Sequence, residues 1–357
     1  MRYFYHIELL RFLSASAVLI THYKHFFFPY LSLSNLNIHP YGPDPDGLLL
    51  PFYNLLEFFY RKGHYGVDFF WMISGFVLAF TYLNNKNIKT SFKIFFLNRF
   101  ARLYPLHFIT LFIVLILQML ILKISGSYQI IDNYMYKGQI DLENFLLHFF
   151  FISGWFLEKG MTFNFPIWSV SIELIIYFIF FLSLKYIYKY QMLLTSILVF
   201  IFVFLDKSNI DIFFLECGRF FFIGVLTYFL FEITKKNFLL ILLSILLIVL
   251  GAVGNLKLDL FFSGIILLAA FCDSKLKIKS KNVYSLLGNL TYGSYLLHIP
   301  VQLILMILIL KFNFDFEIFN KNYFFAIYLI SIYFLSYLSF KYFENPVRKY
   351  IRNKYSV

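Results

Sequence analysis

The sequence predicts an all-α fold, a polytopic bundle of about ten transmembrane helices. Three observations predict it. Hydrophobic residues make up 61% of the 357 residues, charged residues only 14%, and mean hydropathy is +0.74. Soluble domains carry about a quarter charged residues, and a water-soluble fold of this length could not hide so much apolar surface. Apolar runs of roughly 20 residues, the length that crosses a bilayer, recur along the chain. Finally, Lys and Arg gather between alternate runs, as the positive-inside rule expects.

The spans read, in order, as 7–28, 65–83, 103–122, 166–184, 191–205, 212–231, 237–253, 258–272, 285–310 and 323–343. The first resembles a secretory leader at its start. Arg11, however, lies inside the apolar run and Ser14-Ala15-Ser16-Ala17 falls in its middle, so a retained helix is expected. The run 144–156 is too short to span and reads as interfacial or re-entrant on the way to 166–184. With the N-terminus inside, the cytoplasmic segments hold Arg2, Lys86, Lys89, Lys93, Arg99, Lys185, Lys189, Lys235, Lys236, the cluster Lys275–Lys281 and the cluster Arg348–Lys354. Counting 144–156 as a crossing would place Lys275–Lys281 outside. An even number of spans, with both termini cytoplasmic, follows.

The net charge of +12 is accounted for by these loops, and no nucleic-acid partner is expected. Cys217 and Cys272 fall near opposite faces, which makes a disulfide between them an unfavourable reading. The 51 Phe and 28 Tyr are attributed to compositional drift. The chain reads as one membrane domain over 1–357, with no appended soluble domain.

The polar cost concentrates in few residues. An Arg or Asp at mid-span costs roughly 3 kcal/mol on insertion scales, so such residues are functional candidates or pair with each other. Helical rise puts His22, Asp68, Glu173 and Arg219 in the outer half and His298 near the middle of its span, able to share a cavity. Arg11 lies one turn in from the cytoplasmic face. Arg99 and Arg102, three residues apart, would share a face of a helix at the cytoplasmic mouth. Two arginines there suit a phosphate-bearing ligand; a His near an acid suits proton abstraction from a hydroxyl. The same charges also suit a secondary transporter, although no inverted repeat is visible.

Six segments carry a family resemblance. Arg11-Phe-Leu-Ser-Ala-Ser-Ala-Val-Leu-Ile-Thr-His22, Gly66-Val-Asp68-Phe-Phe-Trp-Met-Ile-Ser74-Gly-Phe76, Arg99-Phe-Ala-Arg102-Leu-Tyr-Pro105, Trp168-Ser-Val-Ser-Ile-Glu173, Thr291-Tyr-Gly-Ser-Tyr-Leu-Leu-His298 and Phe343-Glu344-Asn-Pro346 occur in this order. Together they resemble the acyltransferase-3 family, integral-membrane O-acyltransferases of bacterial surface glycans. Asn98, Val170 and Thr291 are mild departures, standing where the family often has Arg, Leu and Ser.

The resemblance implies a multi-pass protein of the bacterial cytoplasmic (inner) membrane. It implies transfer of an acyl group, most often acetyl, from cytoplasmic acetyl-CoA to a hydroxyl of an envelope polysaccharide or glycolipid. His22 would be the base, and an imidazole buried in an apolar bundle stays in the neutral form that a base needs. Arg99 and Arg102 would bind coenzyme phosphates, with Arg11 and Ser74 as further donor-side candidates. Asp68 and Glu173 would orient His22 or the acceptor, or else pair with Arg11 or Arg219. His298 could equally be a hydrogen-bonded core residue, and Glu344 and Pro346 read as a helix end. No H-E-x-x-H, P-loop or G-x-G-x-x-G occurs, and no metal is expected.

Overall fold

A computed structural model describes residues 3–27, 50–83, 91–126, 140–155, 162–206, 213–234, 238–253 and 257–355. Among these residues every regular element is helical. The helices are α1 (Tyr5–His22), α2 (Tyr53–Lys62), α3 (Tyr65–Leu83), α4 (Phe92–Ser125), α5 (Leu142–Phe149), α6 (Ile167–Ile187), α7 (Gln191–Asp206), α8 (Phe213–Ile233), α9 (Phe238–Val253), α10 (Leu258–Lys275), α11 (Lys281–Phe312), α12 (Asn322–Ser339) and α13 (Asn345–Tyr355). Six helical stretches are long and apolar enough to cross a membrane: α3, α4, α6, α8, α11 and the α12–α13 run; α7 and α9 are shorter and apolar. The chain is a membrane protein. Arg2, Lys86, Lys89, Lys235 and Lys236, used above to orient it, lie outside the described residues.

Each apolar run predicted as a span is helical, and the differences lie at the ends. The first run forms α1 and continues as a 3₁₀ turn, Tyr23–Phe26. The third begins earlier, at Phe92, so Arg99 and Arg102 are helical and share a face. The run 144–156 gives only α5, eight residues long and therefore about 12 Å at helical rise, less than half of a bilayer core. Helix α2 has no counterpart in the reading of apolar runs because Glu57, Arg61 and Lys62 interrupt its ten residues.

The lipid-facing surface follows from side-chain spacing. On α9, Leu239, Leu242, Leu246, Leu250 and Val253 are exposed at three- and four-residue intervals. On α4, Phe108, Phe112, Ile116, Met119 and Leu120 are exposed likewise. Water would penalise such stripes, whereas hydrocarbon does not.

The chain forms two compact units. The first comprises Met1–Ser14, Gly66–Phe95 and Ile172–Gly288; the second comprises Ala15–Tyr65, Phe96–Ser171 and Asn289–Val357. Within the first, α3 and α8 cross backbone to backbone. A methyl group on Gly75 would run into the Phe221 carbonyl, and one on Gly224 into the Met72 carbonyl. This reciprocal contact is the small-residue packing that replaces hydrophobic attraction inside a bilayer. In the second unit, Tyr23, Phe26, Phe319, Phe324, Phe325 and Tyr328 form an aromatic core beside the end of α1. Phe26 stacks on Phe319 at 5.0 Å, and the Tyr23 hydroxyl donates to the Phe319 carbonyl over 2.8 Å.

Gly224→Leu is expected to destabilise the folded protein by about 1–3 kcal/mol, the usual cost of overpacking, read as a lower thermal midpoint in detergent.

Candidate functional site: a buried histidine pair

The second unit builds a polar cluster where α1 gives way to its 3₁₀ turn. His22 is the last residue of α1, and His298 lies mid-way along α11, two residues before Pro300. Both are buried, and His22 Nδ1 lies 2.8 Å from His298 Nε2. His25, three residues after His22, stacks on its ring at 4.7 Å and 23°, and Phe165 packs on both rings at 5.4 and 5.2 Å.

Side chains on neighbouring turns fix the pair. The Gln302 amide donates to the His22 carbonyl over 2.8 Å and to the Tyr328 hydroxyl over 3.2 Å; that hydroxyl donates to the Leu19 carbonyl over 3.2 Å. Gln302 thus ties α11 to the backbone at the junction of α1 and its 3₁₀ turn. On the far side, Asn164 Nδ2 donates to Thr110 Oγ1 at 3.0 Å and to the Leu296 carbonyl at 3.1 Å. His298 Nδ1 is buried and makes no hydrogen bond of ordinary geometry.

Two motifs meet in the same unit. Ser169 of the Trp168–Glu173 segment lies 2.8 Å from the Tyr295 hydroxyl, and Tyr295 donates to the Pro166 carbonyl over 3.0 Å. Ser171 Oγ accepts from the Gly154 backbone N–H and donates to the Trp168 carbonyl, each at 2.8 Å. These serines shape the start of α6 by hydrogen bonds to the backbone.

Arg99 and Arg102 are half-buried on α4, just ahead of Pro105. Proline at 105 removes the N–H that would reach the Ala101 carbonyl and loosens this turn. The Tyr292 hydroxyl enters the same turn, donating to the Leu103 carbonyl over 2.5 Å. Arg102 lies in electrostatic range of both Tyr292 and Glu344.

The remaining candidates belong to the first unit. Arg11 pairs with Glu8, one turn earlier, at 3.0 Å. Arg219 pairs with Asp206 and, at 3.3 Å, with Asp259, and its guanidinium lies 4.5 Å from the Phe220 ring centroid. The ion pairs of both arginines therefore run to carboxylates other than Asp68 and Glu173. Asp68 is buried, with Glu216, Arg219, Asp259 and Asp206 as its charged neighbours. Glu173 is buried on α6, in electrostatic range of Cys217. Ser74 is half-buried beside the glycine that packs α3 on α8. Cys217 and Cys272 are both free.

Sequence reasoning passed over His25, Gln302, Asn164 and Tyr292. Two of them leave a helical signal: His25 follows His22 by three residues and Gln302 follows His298 by four, the spacings that share a face. Asn164 has no such signal, since it sits in a buried segment after Phe163, whose backbone is left-handed (φ 47°).

With this geometry in view, the sequence model of acyltransferase-3, described as an acyltransferase domain, matches residues 4–341. The chain belongs to the acyltransferase-3 family. It is accordingly an acyltransferase embedded in a membrane. No curated protein and no solved structure matches it.

In this acyltransferase, Asn164→Leu is expected to lower stability by about 1–3 kcal/mol by stranding the buried Leu296 carbonyl and Thr110 hydroxyl, measured as a drop in thermal midpoint. His64, in the turn between α2 and α3, gives a pH test. Burial first, then the charges of Lys62 and Lys24, hold its imidazole down to about 4 from the usual 6.5. Between those values the unfolded chain binds the extra proton, so stability contributed at neutral pH is lost as pH falls from 6.5 toward 4. His64→Gln should flatten part of that slope in thermal melts across this range.

Proposed function

We propose that this membrane acyltransferase moves an acyl group, most often acetyl, from cytoplasmic acyl-CoA to a hydroxyl of an envelope polysaccharide or glycolipid. Its setting would be the bacterial inner membrane, with about ten crossings and both termini cytoplasmic. His22 is the general base in this reading. The observation that carries it is the buried contact between His22 Nδ1 and His298 Nε2.

The contact matters through the tautomers it links. In the pairing that suits a base, His298 Nδ1 carries the hydrogen and its Nε2 offers a lone pair. His22 Nδ1–H then donates to it, which leaves the lone pair on His22 Nε2 to receive a proton. Stacking on His25 and the bond to His298 restrict the ring, so little orientation remains to be found during reaction. His22 takes the proton of the acceptor hydroxyl as that oxygen bonds to the acyl carbon. The carbon–sulfur bond breaks, and the imidazolium returns its proton to the departing thiolate.

Arg99 and Arg102, on one face of α4, have the fork geometry that suits phosphate groups of the donor. For Asp68 and Glu173 the proposal rests on the family pattern: buried carboxylates accept hydrogen bonds from acceptor hydroxyls. Arg11 and Ser74 remain donor-side candidates on the same pattern, while the ion pairs of Arg219 fit a structural role.

The full chain in lipid nanodiscs, given labelled acetyl-CoA and a glycan acceptor, should place label on the glycan. Solute uptake without acylation would favour transport instead. His22→Ala should reduce kcat by about 100-fold or more while the protein still inserts normally; near-normal turnover would remove the base role. Arg102→Ala should raise the donor KM by about tenfold with the acceptor KM unchanged.

A further inference from the structure

Two buried lone pairs lie near the imidazole pair on the side of α4, and neither meets a donor among the described residues. The first belongs to Asn164. Its amide orientation is fixed, because the Leu296 carbonyl can only accept and therefore faces Nδ2, at 3.1 Å. The other Nδ2 hydrogen goes to Thr110 Oγ1 at 3.0 Å, and the Thr110 hydroxyl donates in turn to the His107 carbonyl over 3.0 Å. Asn164 Oδ1 is left as a bare acceptor on a fully buried residue. The second lone pair belongs to His107, also fully buried. Its Nε2 donates to the His148 carbonyl over 2.7 Å, so in the neutral ring Nδ1 carries no hydrogen and can only accept.

An unmet buried acceptor is costly, and each one calls for an explanation. The backbone around them is strained as well. Phe151, whose ring lies 4.8 Å from that of His107, and Phe163, which precedes Asn164, hold left-handed backbone at φ 64° and 47°. Residues other than glycine rarely adopt it, and where they do they cluster at ligand-binding positions. Location supplies the rest. Helical rise puts Thr110 about 12 Å beyond Arg102 along α4, with His107 between them. At the far end, Leu296 precedes His298 by two residues, and Phe165, next to Asn164, packs on His22 and His25. All of these residues belong to the second unit.

We infer that Asn164 Oδ1 and His107 Nδ1 accept the two amide N–H groups in the pantetheine arm of the acyl donor. This deepens the coenzyme reading of Arg99, Arg102 and His22 and rests on it. A coenzyme A thioester carries its phosphates at one end, its sulfur at the other and two amides between them. With the phosphates at the arginine pair and the thioester carbon at His22, the amides fall along α4, where the two acceptors lie. Each acceptor gains a bond that the protein alone does not provide. An arm held at both amides also limits the freedom of the thioester before attack. The position of His107 toward the arginines favours the donor over the acceptor sugar.

The test uses the full chain in nanodiscs, with affinity read by calorimetry. The probes are coenzyme A and the phosphorylated ADP that remains when the arm is removed. His107→Gln keeps an amide N–H where Nε2 stood, and with it the bond to the His148 carbonyl, but deletes the Nδ1 acceptor. It should weaken coenzyme A binding about three- to tenfold, the effect of one hydrogen bond, and leave phosphorylated ADP unchanged. In turnover the donor KM should rise while the acceptor KM stays as it was. Should His107→Gln fold poorly, coenzyme A analogues with one amide replaced by an ester carry the test in the wild-type chain. Each should bind about three- to tenfold more weakly than coenzyme A. Full coenzyme A affinity in folded His107→Gln, or an ester analogue that binds as tightly as coenzyme A, would overturn the inference and assign these lone pairs to buried water. An equal loss for both probes, or a rise confined to the acceptor KM, would overturn it too. Wild-type protein that binds neither probe would overturn the donor reading itself.

Discussion

The second unit depends on the contact between the imidazoles of His22 and His298. In hydrocarbon every polar group must find a protein partner, and a ring nitrogen left alone there is costly. Pairing the two rings answers that demand and ties the end of α1 to the middle of α11. Gln302 and Tyr328 extend the tie by donating to the carbonyls of His22 and Leu19. The aromatic core around Tyr23 and Phe319 packs directly beside it.

Local irregularities coincide with the motifs. Pro105 follows Arg102 by three residues inside α4, Pro300 follows His298 by two inside α11, and a π turn, Phe340–Glu344, joins α12 to α13. Each interrupts regular backbone pairing, which a membrane tolerates only where other groups replace the lost bonds. The Tyr292 hydroxyl meets the Leu103 carbonyl in the loosened turn of α4, and Ser339 meets Glu344 at the π turn. The regular helices supply a lipid-compatible frame, and the interruptions aim the side chains that the family pattern singles out.

The helical frame was readable because lipid imposes a strong rule: runs such as 65–83 and 191–205 are helices within a residue or two of their apolar limits. Amphipathic or charged helices were less readable. α2 lacks an apolar run, and α4 continues past Arg99 and Arg102 because packing and helix propensity carry it beyond its lipid-facing part. Of the site, the residue types at His22 and His298 were visible, but their pairing joins positions 276 residues apart, and no local periodicity encodes such a contact. The partners of the charges were equally hidden. Glu8 beside Arg11 is a local pair that spacing permits, whereas Asp206 and Asp259 reach Arg219 from two other helices.

The π turn also sets a rotational phase. It holds one residue more than an α turn, and each residue advances a helix by about 100°. Every side chain from Asn345 onward is thus turned relative to α12 by roughly that angle, including the basic row Arg348, Lys349, Arg352 and Lys354. Losing a single residue here would leave two intact helices and their hydrophobicity unaltered. It would nonetheless swing the cationic row to another compass bearing, so chain length in this segment is constrained more tightly than its composition.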